Sequence, residues 1–520
     1  AERHVTVVPE IEMPGHCQAA LASYPELSCT GAVGAVGNRW GVVRDVYCAG
    51  SEEVFEFLTG VLEETLAMFP SEFIHIGGDE CPKDRWKACP KCQARIKSEG
   101  LKDENELQSW FIKRIDAWLT ERGRRLVGWD EILEGGLAKG ATVQSWRGMN
   151  GALIAARAGH DVVSSPTSHC YLDYDHVAIP LAKTYSFDPV PPELTREEGA
   201  HVLGLEGNVW GEWTPTDRVE QQTWPRLCAV AEIGWSRKDA RDETDFLGRM
   251  KTHYGRLDAL GVRYFVPTPR CVTKGRVFTD EMSVVLDNPL GRGVIRYTLD
   301  GSEPNSESLI YEGPFTLTES TTVKARLFAP GGRSNLPVRA EGIAGPARAR
   351  SVVGSDRDVV EYTFRRQALH ASVREDLLYL PGIWWMLYDS GDTYWETLPD
   401  FRSLSIVASG SAETISTAVS PKGDNFGLVF YGYMRVPESG AYTASLHSDD
   451  GSRLWIGDDL VVDNDGLHAP RTRTGDVLLE QGLHPIRVEF IQAGGAVDLA
   501  VSWTGPGIGE EGVSYFHRGW

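Results

Sequence analysis

FIHIGGDECP, residues 73–82, is a short apolar run, two glycines and then two adjacent carboxylates. Such a run has the length of a buried strand, and Gly77-Gly78 punctuates its end. Asp79 and Glu80 then stand side by side where the strand would leave its sheet. Neighbouring like charges repel, and burial raises the cost of ionising both. The pair is therefore either a solvated turn or two groups sharing one task.

The same pattern recurs on both sides of this stretch. VTVVPE (5–10), RLVGW (125–129), TVQSW (142–146), DVVSS (161–165) and VLGLEGNVW (202–210) read as further strands. Helix patterns lie between them. Ser51 is placed to cap the segment that follows it, with Phe55, Leu58, Leu62 and Phe69 at helical spacing. Asp103 and Glu106 form a capping-box pattern ahead of Leu107, Phe111, Ile115 and Trp118. Strands alternating with helices predict a parallel sheet under covering helices. Six strands that each end in a polar or aromatic cluster predict a (β/α)8 TIM-type barrel read from its third strand, with two β/α units expected before Ala1. An open doubly wound sheet is the alternative, but no glycine-rich phosphate loop follows any strand.

The chain of 520 residues is too long for one ordinary domain. Its apolar share of 42% and charged share of 24% are those of a folded protein. A net charge of −21 disfavours nucleic acid or an anionic membrane as partner, and no apolar run is long enough for a transmembrane segment. AERHVTVVPE lacks the basic and apolar regions of a signal peptide. The nine cysteines end at Cys271, and an odd total excludes complete internal pairing. Among Cys81, Cys89 and Cys92 there is one CxxC, half a zinc site; no second CxxC or HxxxH follows, so free thiols or a local disulfide are expected instead.

The pattern changes after Phe265. Residues 1–268 are expected to form the barrel-type domain, and 269–344 a small antiparallel β domain whose Asp300-Gly301 is a turn signal. Residues 345–358 (GPARARSVVGSDRD) read as a linker, and 359–520 as a β-sandwich.

In a barrel the reacting groups sit at the C-terminal ends of strands. Those ends offer Glu10 to His16, Asp79-Glu80, Trp129-Asp130-Glu131, Trp146, Tyr171 with Asp173, and Trp210 with Glu212. Neither a GxSxG elbow nor an HExxH motif is present. Tryptophans suit the apolar faces of sugar rings, and carboxylates accept from hydroxyls, so a carbohydrate-active site is the reading. An ordinary retaining glycosidase sets two carboxylates about 5–5.5 Å apart across the scissile bond. Two neighbours on one strand end suit a different division of labour. Glu80 would protonate the leaving oxygen, and Asp79 would hold a 2-acetamido group whose own carbonyl oxygen attacks the anomeric carbon.

HIGGDE (75–80), PEIEMPGH (9–16), GWDEIL (128–133), QSWRG (144–148), YLDY (171–174) and NVWGEW (208–213) resemble, in order, the motifs of glycoside hydrolase family 20, the β-N-acetylhexosaminidases. The resemblance covers residues 1 to about 265. It implies that Glu80 is the general acid/base, that Asp79 orients the acetamido N–H and stabilises the oxazolinium-like intermediate, and that Tyr171 donates to the acetamido carbonyl. It further implies that Trp129, Trp146 and Trp210 wall the sugar pocket and that Asp173 and Glu212 hold hydroxyls. His16 and His75 would belong to the polar network around the acid. No metal or other cofactor is implied for the chemistry. The family also carries an arginine at the end of the first barrel strand, and no arginine of this chain takes that place.

Residues 271–344 resemble the β domain that follows the barrel in bacterial chitobiases, through RYTLDGSEP and YEGPFTLTESTTVKARLF. From about 360 to 515 the chain resembles a protective-antigen-type sandwich. Lectin members of that family bind calcium, and thereby sugar, through an aspartate pair; Asp449-Asp450 has the matching place. The implied function is an exo-acting, retaining β-N-acetylhexosaminidase releasing terminal GlcNAc or GalNAc from glycans or chitooligosaccharides. The implied location is the periplasm or cell surface. The alternative is a non-catalytic carbohydrate-binding surface protein. A family 18-type chitinase is disfavoured because its DxxDxDxE strand motif is absent.

Overall fold

The computed structural model describes residues 3–38, 41–212, 214–329, 359–374, 378–509 and 512–518. The chain divides into two compact units, Ala1–Val266 and Pro267–Phe328 together with Arg357–Trp520.

The first unit is built on five parallel strands in sequence order: β1 (Phe73–His75), β2 (Arg125–Trp129), β3 (Thr142–Ser145), β4 (Val162–Ser164) and β5 (Val202–Leu205). A sixth segment lies along the β1 edge. Pro9 accepts from the His75 N–H at 2.9 Å, Ile11 donates to His75 at 2.9 Å, and Met13 donates to Ile76 at 3.0 Å. The strand expected at 5–10 is therefore displaced. Val5, Val7 and Val8 are exposed, and pairing starts with the carbonyl of Pro9, which has no N–H to contribute.

Ile74, Ile76, Leu126, Val143 and Val162 are fully buried between this sheet and its helices, as a two-sided parallel sheet requires. Glu52–Met68 turns Val54, Phe55, Leu58 and Leu62 inward. Ser51 precedes it but makes no capping bond to a backbone N–H, and Phe69 lies just past the helix end. The cap expected at Asp103 is present: its carboxylate accepts from the N–H groups of Asn105 at 2.9 Å and Glu106 at 3.1 Å. The returning bond from Glu106 goes to the N–H of Lys102 at 2.7 Å, one residue earlier than a capping box places it. In Glu104–Thr120 the buried stripe is Leu107, Phe111, Ile115 and Leu119. Trp118 is only half-buried, and the Arg122 guanidinium covers its ring at 3.7 Å.

The second unit is all β. Val294–Thr298 and Thr321–Phe328 form a ladder that continues through Val359–Arg366 to Val277–Phe278. Val359–Arg366 was expected to open the sandwich. It pairs instead with Thr321–Phe328, from Thr321 opposite Phe364 to Arg326 opposite Val359, and so belongs to the preceding domain's sheet. The expected linker 345–358 lies outside the described residues. From Tyr379 onward, two antiparallel sheets share one core of Leu428, Phe430, Tyr442, Leu446, Phe490 and Trp503, which is the sandwich arrangement.

Candidate active site

The two glycines after β1 determine where the acids stand. Gly77 (φ +68°) and Gly78 (φ +93°) turn the chain out of the sheet through left-handed backbone. A Cβ on Gly77 would lie 1.8 Å from Glu12 Oε2, and one on Gly78 2.7 Å from Ile132 Cγ2, so neither position has room for a side chain. The turn continues to Glu80, itself at φ +42°, a conformation that costs energy in any residue bearing a Cβ. Asp79 and Glu80 are then brought to one imidazole: His16 Nε2 lies 3.4 Å from Asp79 Oδ2 and 3.3 Å from Glu80 Oε2. The bond to Asp79, with both carboxylate charges, raises the His16 pKa against the opposing effect of burial.

Beneath Asp79 lies a second acidic layer. Glu10 and Glu12 alternate along one strand segment and so share a face. His75 Nδ1 is 3.0 Å from Glu10 Oε1 and 3.0 Å from the Gly77 N–H. Burial raises the Glu10 pKa, but the bond and charge of His75 outweigh it and leave Glu10 below the usual range. Glu12 goes the other way. Burial, then the charges of Asp79 and Glu10, push it up to about 9. At neutral pH Glu12 is therefore a neutral carboxylic acid, able to donate to the carboxylates on either side.

The aromatic residues form a continuous chain of rings. Trp129 meets Trp210 at 5.8 Å between centroids, Trp210 meets Tyr171 at 6.5 Å, and Tyr171 stacks on Trp146 at 6.3 Å. Two of the three wall indoles are fixed by a carboxylate: Trp129 Nε1 donates to Glu10 Oε1 at 2.9 Å, and Trp146 Nε1 to Glu131 Oε2 at 2.9 Å. Burial raises Glu131 to about 7. Tyr171 is buried and its phenol is pushed above its ordinary range, so it remains a donor throughout the working pH range. Asp173 is buried and raised by burial to about 6, with the charge of Glu212 adding to the shift. Glu212 itself is exposed and acts on this region through that charge.

A cleft of about 430 Å³ opens beside Glu80, lined also by Val42, Lys83, Gln108, Glu131, Trp146 and Arg147. Arg147 Nε donates to Asp130 Oδ1 at 2.7 Å, and Gln108 Nε2 to the Gly78 carbonyl at 2.7 Å, bracing the turn that carries the acids. Of the residues expected from sequence, the structure joins His16, Asp79 and Glu80 in one group and Trp129, Trp210, Tyr171 and Trp146 in another. His75 packs edge-on against Trp129 at 5.0 Å and shares Glu10 Oε1 with that indole.

Sequence reasoning missed Glu12, Gln108, Arg147 and Arg226. Glu12 had a signal in the Glu10-Ile11-Glu12 alternation. Arg226 had none: it is fully buried on a helix after the last strand, where it donates to the carbonyls of Leu172, Tyr174 and Ile179.

Among the described residues, two groups could hold a metal. His16, Asp79 and Glu80 form one at the surface of the site. The other is Cys29, Cys48, Cys89 and Cys92. The lone CxxC thus acquires partners from upstream of it, which corrects the reading of it as an unpartnered half-site. All nine cysteines are free thiols, so the local disulfide is not formed either. In the sandwich, Asp450 accepts from the N–H groups of Ala493 at 2.9 Å and His468 at 3.3 Å, and burial raises the neighbouring Asp449.

Residues 1–238 match the glycosyl hydrolase family 20 catalytic domain, residues 273–338 the chitobiase/beta-hexosaminidase C-terminal domain, and residues 388–515 the PA14 domain. A beta-hexosaminidase of Porphyromonas gingivalis is 37% identical over 514 residues, covering 95% of this chain and 63% of that protein. A beta-hexosaminidase of Akkermansia muciniphila is 32% identical over 268 residues, covering 49% of this chain and 54% of that protein. One of Vibrio furnissii is 34% identical over 255 residues, covering 46% and 42%. The chain spans less than two thirds of the length of each of these relatives. Residues 1–238 are thus of the glycosyl hydrolase family 20 catalytic type, followed by segments of the chitobiase C-terminal and PA14 types.

Proposed function

We propose that this chain removes terminal β-linked N-acetylhexosamine units from glycans or chitooligosaccharides, with retention and with the substrate's acetamido group as nucleophile. The observation that carries the reading is the placement of Asp79 and Glu80 on one strand end and on one imidazole. Two adjacent carboxyls cannot flank a glycosidic bond, but they can serve two successive atoms of a 2-acetamido sugar. Glu80, half-exposed at the cleft, gives its proton to the leaving oxygen and later takes one from water. Asp79, beside His16, accepts the acetamido N–H and balances the positive charge that develops on the cyclic intermediate. Tyr171 donates to the acetamido carbonyl, which aims that oxygen at the anomeric carbon. Trp129, Trp146 and Trp210 offer faces to the ring, while Asp173 and Glu212 take its hydroxyls.

The test compares an aryl β-N-acetylglucosaminide with the matching aryl β-glucoside. Turnover of the first alone, lost in Glu80→Gln, supports the reading; equal turnover of both sinks it. The non-catalytic alternative is disfavoured, because a sugar-binding surface has no use for one imidazole held against two adjacent acids.

The sandwich reading is more modest. Asp450 spends its carboxylate on backbone N–H groups, which favours a loop-fastening role for the Asp449-Asp450 pair over a calcium-binding one. Calcium titration calorimetry of the whole chain tests this. The barrel domain is taken as 1–268, and the chitobiase-type domain as 269–344 extended by the strand 359–366. Export to the periplasm or cell surface is part of the proposal and rests on the substrate class; no helix among the described residues is long and apolar enough to cross a membrane.

A further inference from the structure

Four cysteines from three separate stretches of the first unit converge at one point. Cys29 and Cys48 lie on the long connection that follows the Pro9–Met13 segment, Cys89 caps the helix Pro90–Glu99, and Cys92 lies in that helix's first turn. Their sulfurs all lie within 4.8 Å of one another. Cys29 and Cys92 are 3.7 Å apart, Cys48 and Cys92 3.7 Å, and Cys48 and Cys89 3.8 Å. A tetrahedral ion with zinc–sulfur bonds of about 2.3 Å sets its ligand sulfurs about 3.8 Å apart along each edge. Two packed thiols can also lie this close; what packing does not require is that four sulfurs from three separate stretches meet around one point.

The backbone around the cluster is arranged to let the stretches meet. A Cβ on Gly50 would lie 2.2 Å from the Lys91 carbonyl carbon and 2.5 Å from the Cys92 nitrogen, so only glycine permits this approach. Three of the four sulfur-bearing residues are buried, and Cys29 is partly covered. The helix N-terminus beneath Cys89 and Cys92 favours thiolates.

We infer that Cys29, Cys48, Cys89 and Cys92 bind one structural zinc ion. On binding, the four thiols release four protons to solvent, and the complex carries two net negative charges with no change of oxidation state. No coordination position is left open, so the ion takes no part in glycoside chemistry. Its work is to fasten the loop across to the segment that continues from Asp79-Glu80. The same two segments are joined by Trp86 Nε1 donating to the Tyr47 carbonyl at 2.9 Å and by the Arg85–Asp45 ion pair at 2.8 Å. Val42 of that loop lines the cleft beside Glu80. The zinc would therefore hold one wall of the cleft.

The experiment uses the full chain, produced with zinc in the medium and purified under reductant without chelator. Elemental analysis is expected to give one zinc per chain, retained in Cys271→Ser and lost in the double variant Cys89→Ser/Cys92→Ser. Exchange of the wild-type protein into cobalt is expected to give the charge-transfer and visible bands of a tetrahedral tetrathiolate, which decides the matter even where the double variant does not fold. Zinc content unchanged in a folded double variant would overturn the assignment. So would iron in place of zinc, disulfides among these four residues in peptide maps, or absence of both zinc and the cobalt spectrum.

Discussion

Arg226 donates to the backbone carbonyl of Leu172 at 2.7 Å from a position with no exposure to solvent. The same nitrogen reaches the carbonyls of Tyr174 at 2.9 Å and Gln222 at 2.8 Å, and its partner nitrogen reaches Ile179 at 2.9 Å. One guanidinium thus clamps the residues on both sides of Asp173. Arg226→Met keeps the volume but orphans several buried carbonyls at once. A loss on the order of 3 kcal/mol in denaturant unfolding is expected. The substrate's KM should rise more than kcat falls, because Tyr171 and Asp173 lose their frame. An unchanged KM would show that the clamp serves stability alone.

Tyr171→Phe removes the donor assigned to the acetamido carbonyl while keeping the ring stacked on Trp146. Its kcat is expected to fall about 10²-fold, as for loss of one preorganised donor. The measurement is steady-state hydrolysis of an aryl β-N-acetylglucosaminide. A drop confined to KM would reassign Tyr171 to simple binding.

Glu12 gives a stability prediction with a definite sign. Its folded-state pKa of about 9 lies above the ordinary carboxyl value of 4.5, so between these limits the folded protein holds a proton that the unfolded chain has released. Its contribution is fully present below the ordinary value and is lost as pH rises through about 9. Glu12→Gln, uncharged at every pH, is expected to flatten the decline in unfolding free energy between pH 5.5 and 8.5. Equal slopes for the two proteins would mean that Glu12 is ionised in the fold.

Trp146→Phe retains an aromatic face but removes the N–H held by Glu131. Without that donor, burial raises the Glu131 carboxyl beyond its present value of about 7. A fall in kcat/KM of about tenfold is expected, mostly through KM, as a displaced wall would give. A wild-type kcat/KM would show that the ring face alone matters.

Much of this was legible in the sequence where local chemistry dictates structure. Gly77-Gly78 had to mark a strand end, because the backbone there is left-handed and a Cβ would strike Glu12. The alternation of apolar strands and amphipathic helices likewise follows from burial on two faces. What stayed hidden depends on distance along the chain. Cys29 and Cys48 lie on a connection with no periodicity, so nothing local announces that they approach a CxxC some sixty and forty residues on, respectively. Arg226 is invisible for the same reason: its partners are carbonyls, which every residue possesses. Val359–Arg366 reads as a strand of either neighbouring domain, because alternation specifies a face and not a partner.

The pairing of Val359–Arg366 with Thr321–Phe328 has a consequence for the integrity of the chain. These two strands are direct neighbours in one sheet although 30 positions of sequence, 329–358, separate them. A single peptide-bond cut between them would not release the C-terminal portion, because six paired positions and the buried Phe364 hold the two pieces together. The nicked protein would travel as one particle in native gel filtration and separate into two fragments only in denaturant.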